Sequence, residues 1–235
     1  MKPPLPARTW ISRCLAAALY GWTLLAQALP PAQQARLDAA VLDYEAGRHG
    51  AARAAFERLA RQGVAAADYN LAVMHLRGEV PRPDLRRAEQ GLERAAERGF
   101  VTAQFMLGQS LENGALGRRD LVRAHDWYEK AATAGSIEAQ LAMGTACYLG
   151  RGRPRDAALA AHWYREAAKG GDVGAQYLLA SMYEQGEGVA ADLRLASYWY
   201  AAAARQGDVA APYKLRELEA RGAAAAAADP ATAPP

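Results

Sequence analysis

Residues 175–210 read AQYLLASMYEQGEGVAADLRLASYWYAAAARQGDVA, and this stretch decides the fold of the chain. Shifted back by 36 residues, it aligns with residues 139–174, and a second shift of the same size aligns it with residues 103–138. A fourth copy, residues 67–102, keeps the spacing but is more divergent. A fixed period of this length, kept without insertions over four copies, is typical of a solenoid built from small structural units.

Each copy is predicted to form two helices. In residues 175–210, apolar side chains recur at helical spacing until Gly186 and Gly188, which are suited to end a helix. Asp192 then stands where its side chain can cap a second helix, and Gly207 ends that helix. Because neither helix can bury its apolar side alone, the pairs must pack on each other. The periodic segments are helical throughout, so the predicted fold class is all-α.

Three motifs recur in the well-matched copies: an L-G pair, a loop with glycines and an aspartate, and a W-Y pair. The pairs are Leu107-Gly108, Met143-Gly144, Leu179-Ala180, Trp127-Tyr128, Trp163-Tyr164 and Trp199-Tyr200. Together they resemble the Sel-one-like repeat, a longer-looped relative of the tetratricopeptide repeat. The copy at residues 67–102 departs from the pattern, with Gly91-Leu92 in place of the W-Y pair. The resemblance implies a right-handed α-solenoid of antiparallel helix pairs that acts as an adaptor for protein partners.

The tryptophans of the W-Y pairs are candidates for the core between repeats. Trp127, Trp163 and Trp199 recur in register beside small residues that let helices approach closely. Burying a tryptophan removes roughly 150–250 Å² from water. We therefore expect these three side chains to fill the gaps between repeats.

The first 28 residues have the layout of a secretory signal peptide. Lys2, Arg8 and Arg13 form a basic start, residues 14–25 are apolar, and residues 26–28 read A-Q-A, a cleavage motif. The apolar run is shorter than the ~20 residues that span a bilayer. We expect cleavage and a periplasmic or secreted protein without stable membrane insertion. A signal anchor in the inner membrane is the alternative.

The remaining segments define the predicted domain organisation. Residues 29–66 contain a short lead-in and a shortened helix pair, expected to be a divergent N-terminal capping repeat. The four repeats are residues 67–102, 103–138, 139–174 and 175–210. Residues 211–221 are expected to form a C-terminal capping helix, and residues 222–235, rich in alanine and proline, a disordered tail.

The charge distribution argues against a nucleic-acid partner. The chain has 28 basic and 25 acidic residues, and its first 28 residues include Lys2, Arg8 and Arg13 but no acidic residue. The rest of the chain is therefore formally neutral. It lacks the basic patch that a nucleic-acid-binding protein presents.

No catalytic or metal-binding motif stands out. The four histidines occupy unrelated repeat positions, and Cys147, the single cysteine after residue 28, is expected to be a small core residue. The loop glycines fit helix ends better than a phosphate-binding loop. We expect no enzyme, cofactor or metal, and an exported scaffold for a protein or peptide partner. A cell-wall-directed enzyme or small-molecule binder is the alternative, and it would require converging titratable side chains.

A candidate binding surface follows from one position of the first helices, which line the concave face in tetratricopeptide domains. Two positions before the L-G pair, the copies carry an apolar ladder of Tyr69, Phe105, Leu141, Tyr177 and Tyr213. The polar residues expected to hold the backbone of an extended peptide are Gln109, Glu112, Asn113, Thr145 and Ser181. The ladder could equally pack against the preceding unit, and both interpretations remain open at this stage.

Overall fold

The computed structural model describes residues 29–228. Within that range every regular element is a helix, as the all-α prediction required. The helices are α1 (Pro31–Glu45), α2 (His49–Arg61), α3 (Ala65–Leu76), α4 (Leu85–Glu97), α5 (Val101–Asn113), α6 (Leu121–Thr133), α7 (Ile137–Leu149), α8 (Ala157–Lys169), α9 (Val173–Gln185), α10 (Leu193–Arg205) and α11 (Ala211–Ala228). Each packs mainly on the helices directly before and after it, which gives a right-handed solenoid of antiparallel pairs.

The pairs α3–α4, α5–α6, α7–α8 and α9–α10 form the four repeats, and we call their members the first and second helices. Every second helix begins after a capping aspartate, as predicted. Asp192 Oδ1, for example, accepts from the backbone N–H groups of Arg194 and Leu195 at 2.9 and 3.0 Å. The backbone N–H of Asp192 in turn donates to the carbonyl of Tyr183 at 3.0 Å. The aspartate therefore joins the start of one helix to the end of its partner.

The loop inside each pair also contacts the preceding pair. Gly188 has a φ of +69°, and a Cβ at this position would collide with the backbone of Ala157, at the start of α8. Gly152, one repeat earlier, has a φ of +77° and approaches Leu121 in the same way. Only glycine combines this left-handed conformation with so close an approach. These loops therefore hold successive repeats in register.

The core of the middle repeats is a tyrosine ring lying on a glycine. A Cβ on Gly108 would stand 2.7 Å from the ring of Tyr128, and a Cβ on Gly144 would stand 2.5 Å from the ring of Tyr164. The glycine of the L-G pair thus leaves space for the tyrosine of the W-Y pair, and both tyrosines are buried. The prediction that the tryptophans fill the core holds only in part. Trp127, Trp163 and Trp199 are half-buried and pack against the edge of the core.

The sequence predictions for the two ends of the chain have different outcomes. The predicted signal peptide, residues 1–28, lies outside the described residues. The last helix, α11, continues to Ala228, whereas a disordered tail was predicted from Gly222 onward. Alanine has the highest helix propensity of all residues, so the alanine run extends a helix that already packs on α10. Among the described helices, none combines the length and apolar character needed to cross a membrane.

Candidate partner-binding surface

The ladder forms a row across successive first helices, one side chain on each of α3, α5, α7 and α9, and a last one on α11. The half-buried members are Tyr69, Phe105, Leu141 and Tyr177. They rest against the core: the ring centroids of Phe105 and Tyr128 are 5.7 Å apart, and those of Tyr177 and Tyr200 are 5.1 Å apart. Tyr213, in contrast, is 69% exposed. Four of the five ladder side chains are therefore in contact with the core on one side and with solvent on the other.

A second, polar row lies one helical turn further along the same helices. Gln109, Thr145 and Ser181 occupy equivalent positions on α5, α7 and α9. Gln109 is exposed, and Thr145 and Ser181 are half-buried. Thr145 Oγ1 donates to the carbonyl of Leu141 at 3.0 Å, and Gln185 Nε2 donates to Ser181 Oγ at 3.2 Å. The structure thus brings this row together beside the ladder.

Two further predicted residues, Glu112 and Asn113, end helix α5. Asn113 is exposed, and its Oδ1 accepts from the backbone N–H of Ala115 at 2.8 Å. Glu112 turns toward the core, where the hydroxyl of Tyr128 donates to it at 2.8 Å and Arg151 donates at 3.2 Å. The carboxylate of Glu112 is therefore engaged by two partners within the protein, and its side chain is 28% exposed.

We call the solvent-facing sides of the first helices α3, α5, α7 and α9 the first-helix surface. Its exposed residues are Thr102, Gln109, Asn113, Glu138, Leu149, Gly174, Leu178 and Gln185. Helix α11, which follows, exposes Tyr213 but also the charged Arg216, Glu217, Glu219 and Arg221. The helices α3, α5, α7 and α9 contain a single acidic residue each and no lysine or arginine. The four second helices contain 15 acidic or basic residues between them. Charge is thus concentrated on the solvent-facing sides of α4, α6, α8 and α10, the second-helix surface.

Three of the four acids on the first helices are neutralised internally. Glu184, whose side chain is 7% exposed, accepts from Tyr200 at 2.9 Å and from Arg221 at 2.8 Å, with Lys214 at 3.5 Å. Glu112 is held by Tyr128 and Arg151, as described above. Burial, followed by the bond to the acid, raises the pKa of Tyr128 and of Tyr200, so both hydroxyls remain donors.

The acid of the divergent repeat is held in another way. Asp68 on α3 has a side chain that is 2% exposed and pairs with Arg94 at 2.8 Å and with Arg98. Arg94 lies on α4, the second helix of the same repeat, and Arg98 directly follows that helix. Of the four acids, Glu138 alone is exposed, at the start of α7. The first-helix surface is therefore almost free of charge.

Sequence reasoning missed a small cavity on this surface. A space of about 60 Å³ between α7 and α9 is lined by Tyr148, Tyr164, Leu178, Ser181, Met182 and Glu187. One repeat earlier, the equivalent space is about 10 Å³, since Arg151 crosses it to reach Glu112. The 36-residue alignment could have indicated this cavity, because Tyr148 stands where the neighbouring repeats have Glu112 and Glu184.

Among the described residues, one cluster has side chains of the kind that bind metal ions. A ring nitrogen of His125 and carboxylate oxygens of Asp126 and Glu129 lie within 4.8 Å of one another. Burial lowers the pKa of His125, and its ring is neutral at pH 7. Arg153 already pairs with this cluster, at 2.5 Å from Asp126 and 3.9 Å from Glu129. We therefore interpret the acidic pair as the partner of a guanidinium group and assign no metal to it.

Comparison with known proteins identifies the repeat. The family model described as Sel1 repeat matches residues 65–100, 101–136, 137–172 and 173–208. Each match begins two residues before the repeat boundaries inferred from the sequence. No curated protein matches this sequence.

Among the solved structures similar to the chain, two illustrate the relationship at more than 30% identity. The first is c5321, a protective antigen present in uropathogenic Escherichia coli strains and displaying an SLR fold, with 33% identity and a TM-score of 0.67. The second is a Sel1 repeat protein from Oxalobacter formigenes, with 32% identity and a TM-score of 0.65. The matches cover 72% and 71% of this chain, but only 36% and 49% of those proteins. The similarity thus extends to fewer than half of the residues of either relative.

Proposed function

This chain belongs to the Sel1 repeat family, whose proteins are protein–protein interaction scaffolds, and from that premise we propose how it binds. It is an exported scaffold that holds an extended, uncharged segment of a partner protein on its first-helix surface. The ladder and the polar row described above form the binding site. In solenoids of the tetratricopeptide type, this is the concave side.

The near absence of charge on the first-helix surface carries the proposal. The second helices contain 15 charged side chains, most of them on α4 and α6, as is usual for solvated helices. The first helices instead present Phe105, Leu141, Leu149 and Leu178 beside neutral amides and hydroxyls. Exposed apolar side chains rimmed by polar groups are typical of interaction sites. A charged segment would lose its hydration on such a surface without gaining an ion pair.

The spacing of the two rows suits an extended chain. Neighbouring packed helices stand ~8–10 Å apart, and an extended peptide covers that distance in about three residues. Every third side chain of such a peptide would meet a member of the ladder. The hydroxyl and amide groups of Thr145, Ser181 and Gln109 lie beside it and can bond to the peptide backbone.

Export is the second part of the proposal. It rests on the basic start, the apolar run and the A-Q-A motif of residues 1–28. Mass spectrometry of the protein from the source organism tests it directly. A mature chain that begins at Leu29, or within a few residues of it, supports export. A soluble protein that retains Met1 contradicts it.

The binding part can be tested with two matched substitutions in one repeat. Leu178 on α9 and Leu195 on α10 are 37% and 39% exposed, and they lie on the first-helix and second-helix surfaces respectively. Aspartate at either position adds one charge without opening the core. The tagged chain and both variants are used as baits in an extract of the cell envelope, and the captured protein is identified and quantified.

Leu178→Asp is expected to lower capture of the same partner about tenfold, equivalent to 1.4 kcal/mol. Leu195→Asp is expected to capture as much partner as the unchanged chain. Thermal melting of both variants confirms that they are folded. Equal capture by all three baits, or a loss confined to Leu195→Asp, would show that the first-helix surface is not the binding site.

A further inference from the structure

A second site emerges when one position is compared across the four repeats. Near the start of the first helices, the equivalent residues are Asp68, Gln104, Gln140 and Gln176. Each glutamine donates its Nε2 to a carbonyl near the end of the preceding second helix. The distances are 3.0 Å to Ala96, 3.2 Å to Ala132 and 3.1 Å to Ala168 respectively. This bond leaves the side-chain oxygen of each glutamine in need of a donor.

In the first and last repeats the chain supplies that donor itself. Arg98 donates to Asp68, and Gln206 Nε2 donates to Gln176 Oε1 at 2.8 Å. Arg98 and Gln206 are equivalent residues, since both follow the second helix of their repeat by the same number of positions. A side chain at this position therefore covers Asp68 or Gln176 and donates a hydrogen bond to its side-chain oxygen.

In the second repeat the equivalent residue is Ala134, which has no donor to offer. Gln104 is 8% exposed, and its Oε1 is buried without a hydrogen-bond partner among the described residues. Such an unsatisfied buried oxygen is uncommon in folded proteins. Lys130, which stands where the first repeat has Arg94, does not supply the bond, because its Nζ lies 3.7 Å from the ring centroid of Trp127.

A groove opens where the missing side chain would lie. It has a volume of about 720 Å³ and is lined by Gly99, Gln104, Asp126, Glu129, Lys130, Thr133 and Ala134. Its walls are the turn between α4 and α5 on one side and α6 on the other. Two carboxylates and one ammonium group border it, and Arg153 pairs with the carboxylate of Asp126 and lies 3.9 Å from that of Glu129. We call this space the Gln104 groove.

We propose that the Gln104 groove binds an arginine side chain of a partner protein. A guanidinium group is planar and has N–H donors on more than one edge. One edge can donate to Gln104 Oε1 and another to the carboxylate of Glu129, whose side chain is 51% exposed, whereas Asp126 is already paired with Arg153. The protein contains a precedent, since Arg98 occupies the equivalent place beside Asp68 in the first repeat. The groove lies on the second-helix side, so this site is separate from the first-helix surface.

Nuclear magnetic resonance with small probes tests the proposal on the isotopically labelled chain. The probe is Nα-acetyl-arginine amide, and its control is Nα-acetyl-citrulline amide, which has a planar but uncharged end group. The side-chain amide of Gln104 and the backbone amides of Thr133 and Ala134 are the reporters. We expect a saturable shift at these positions with a dissociation constant of about 1 mM or weaker, and an affinity at least about threefold lower for citrulline because it makes no ion pair.

A pair of variants shows whether the groove is the site. Ala134→Gln places an amide where Gln206 lies in the last repeat, so it should fill the groove and abolish the shift at Gln104. Ala158→Gln, on the exposed side of α8, should leave binding unchanged. Shifts that are absent, that persist in Ala134→Gln, or that are equal for both probes would overturn the assignment. Melting curves of both variants confirm that they are folded.

Discussion

The two sides of this solenoid are built from helices of nearly equal length but differ in how they carry charge. Helices α5 to α10 each have 13 residues. On the second-helix side, charged groups pair at the surface, as Arg123 does with Glu89 and Glu93 at 3.0 and 2.6 Å. On the first-helix side, the acids of three repeats are drawn inward and neutralised. A regular backbone can therefore present one neutral and one charged surface.

In three of the repeats, the acid on the first helix is neutralised by a different set of partner residues. Two arginines hold Asp68, a tyrosine and an arginine hold Glu112, and a tyrosine, a lysine and an arginine hold Glu184. A carboxylate can be buried only if it is paired or hydrogen-bonded. Substitution of these partners should therefore destabilise the first helices without changing the residues of the proposed binding site.

The largest effect is expected for the pair Arg94→Met and Arg98→Met. Methionine retains much of the apolar stem of each arginine but leaves Asp68 buried without a counter-charge. Loss of the partners of a buried charge costs about 3–5 kcal/mol. The free energy of unfolding from urea titration measures this loss.

The matched control for this prediction is Asp68→Asn. The side chains of Arg94 and Arg98 are 50% and 40% exposed, so once freed they can turn to water. The destabilisation should therefore be clearly smaller than in the double variant. An equal or larger loss in Asp68→Asn would show that the ion pairs themselves, rather than the burial of the acid, determine the stability of this repeat.

The second effect concerns the C-terminal helix. Lys214 and Arg221 on α11 both reach Glu184 on α9, so replacing both by methionine should detach part of α11. We expect a loss of roughly 1–3 kcal/mol, typical of hydrogen bonds to a charged group. Hydrogen exchange of the α11 amides should become faster. Arg216→Met, which removes a contact with the exposed ring of Tyr213, should change neither quantity.

A smaller effect is expected when a tyrosine loses only its hydroxyl. Tyr128→Phe removes the bond to the charged Glu112 and should cost about 1–2 kcal/mol. Tyr164→Phe removes a longer bond, of 3.2 Å, to the neutral hydroxyl of Thr145 and should cost roughly 0.5–1 kcal/mol. Thermal unfolding of both variants gives the difference. Equal losses would mean that the charge on Glu112 does not strengthen its bond.

The smallest effect concerns His125, a buried titratable group on the second-helix side. Burial, and then Arg153, lowers its pKa in the folded protein. The unfolded chain, with a histidine pKa of about 6.5, binds the proton more readily. Stability is therefore complete above that pH and falls as the pH drops toward the folded pKa. His125→Leu should show a smaller decrease in Tm between pH 7.5 and 5 than the unchanged chain.

The features that could be predicted from the sequence are those fixed by local chemistry. The capping aspartates and the glycines that end the first helices act within a few residues of their own position, and Asp192 and Gly186 behave as expected. The period itself follows from them. The helical tail after Gly222 was not predicted because the composition suggested disorder, while the propensity of alanine favours extension of a helix already begun.

Contacts between residues far apart in sequence could not be predicted from the repeat pattern. In the pairs Trp127-Tyr128 and Trp163-Tyr164, the tyrosine rather than the tryptophan lies on the glycine, which depends on the rotation of the second helix about its axis. Asp68 finds its partners at Arg94 and Arg98 in the one repeat that departs from the motif. The division of the ladder between core and solvent likewise depends on how closely the pairs pack.

Site-specific photo-crosslinking in intact cells tests the central claim most directly. Benzoylphenylalanine is placed at Gln109, exposed on the first-helix surface, and in a separate strain at His162, exposed on the second-helix surface. We expect Gln109 to form a crosslink to one partner protein that is lost with Leu178→Asp, whereas His162 gives no such product. A crosslink to that protein from His162 and not from Gln109 would contradict binding on the first-helix surface.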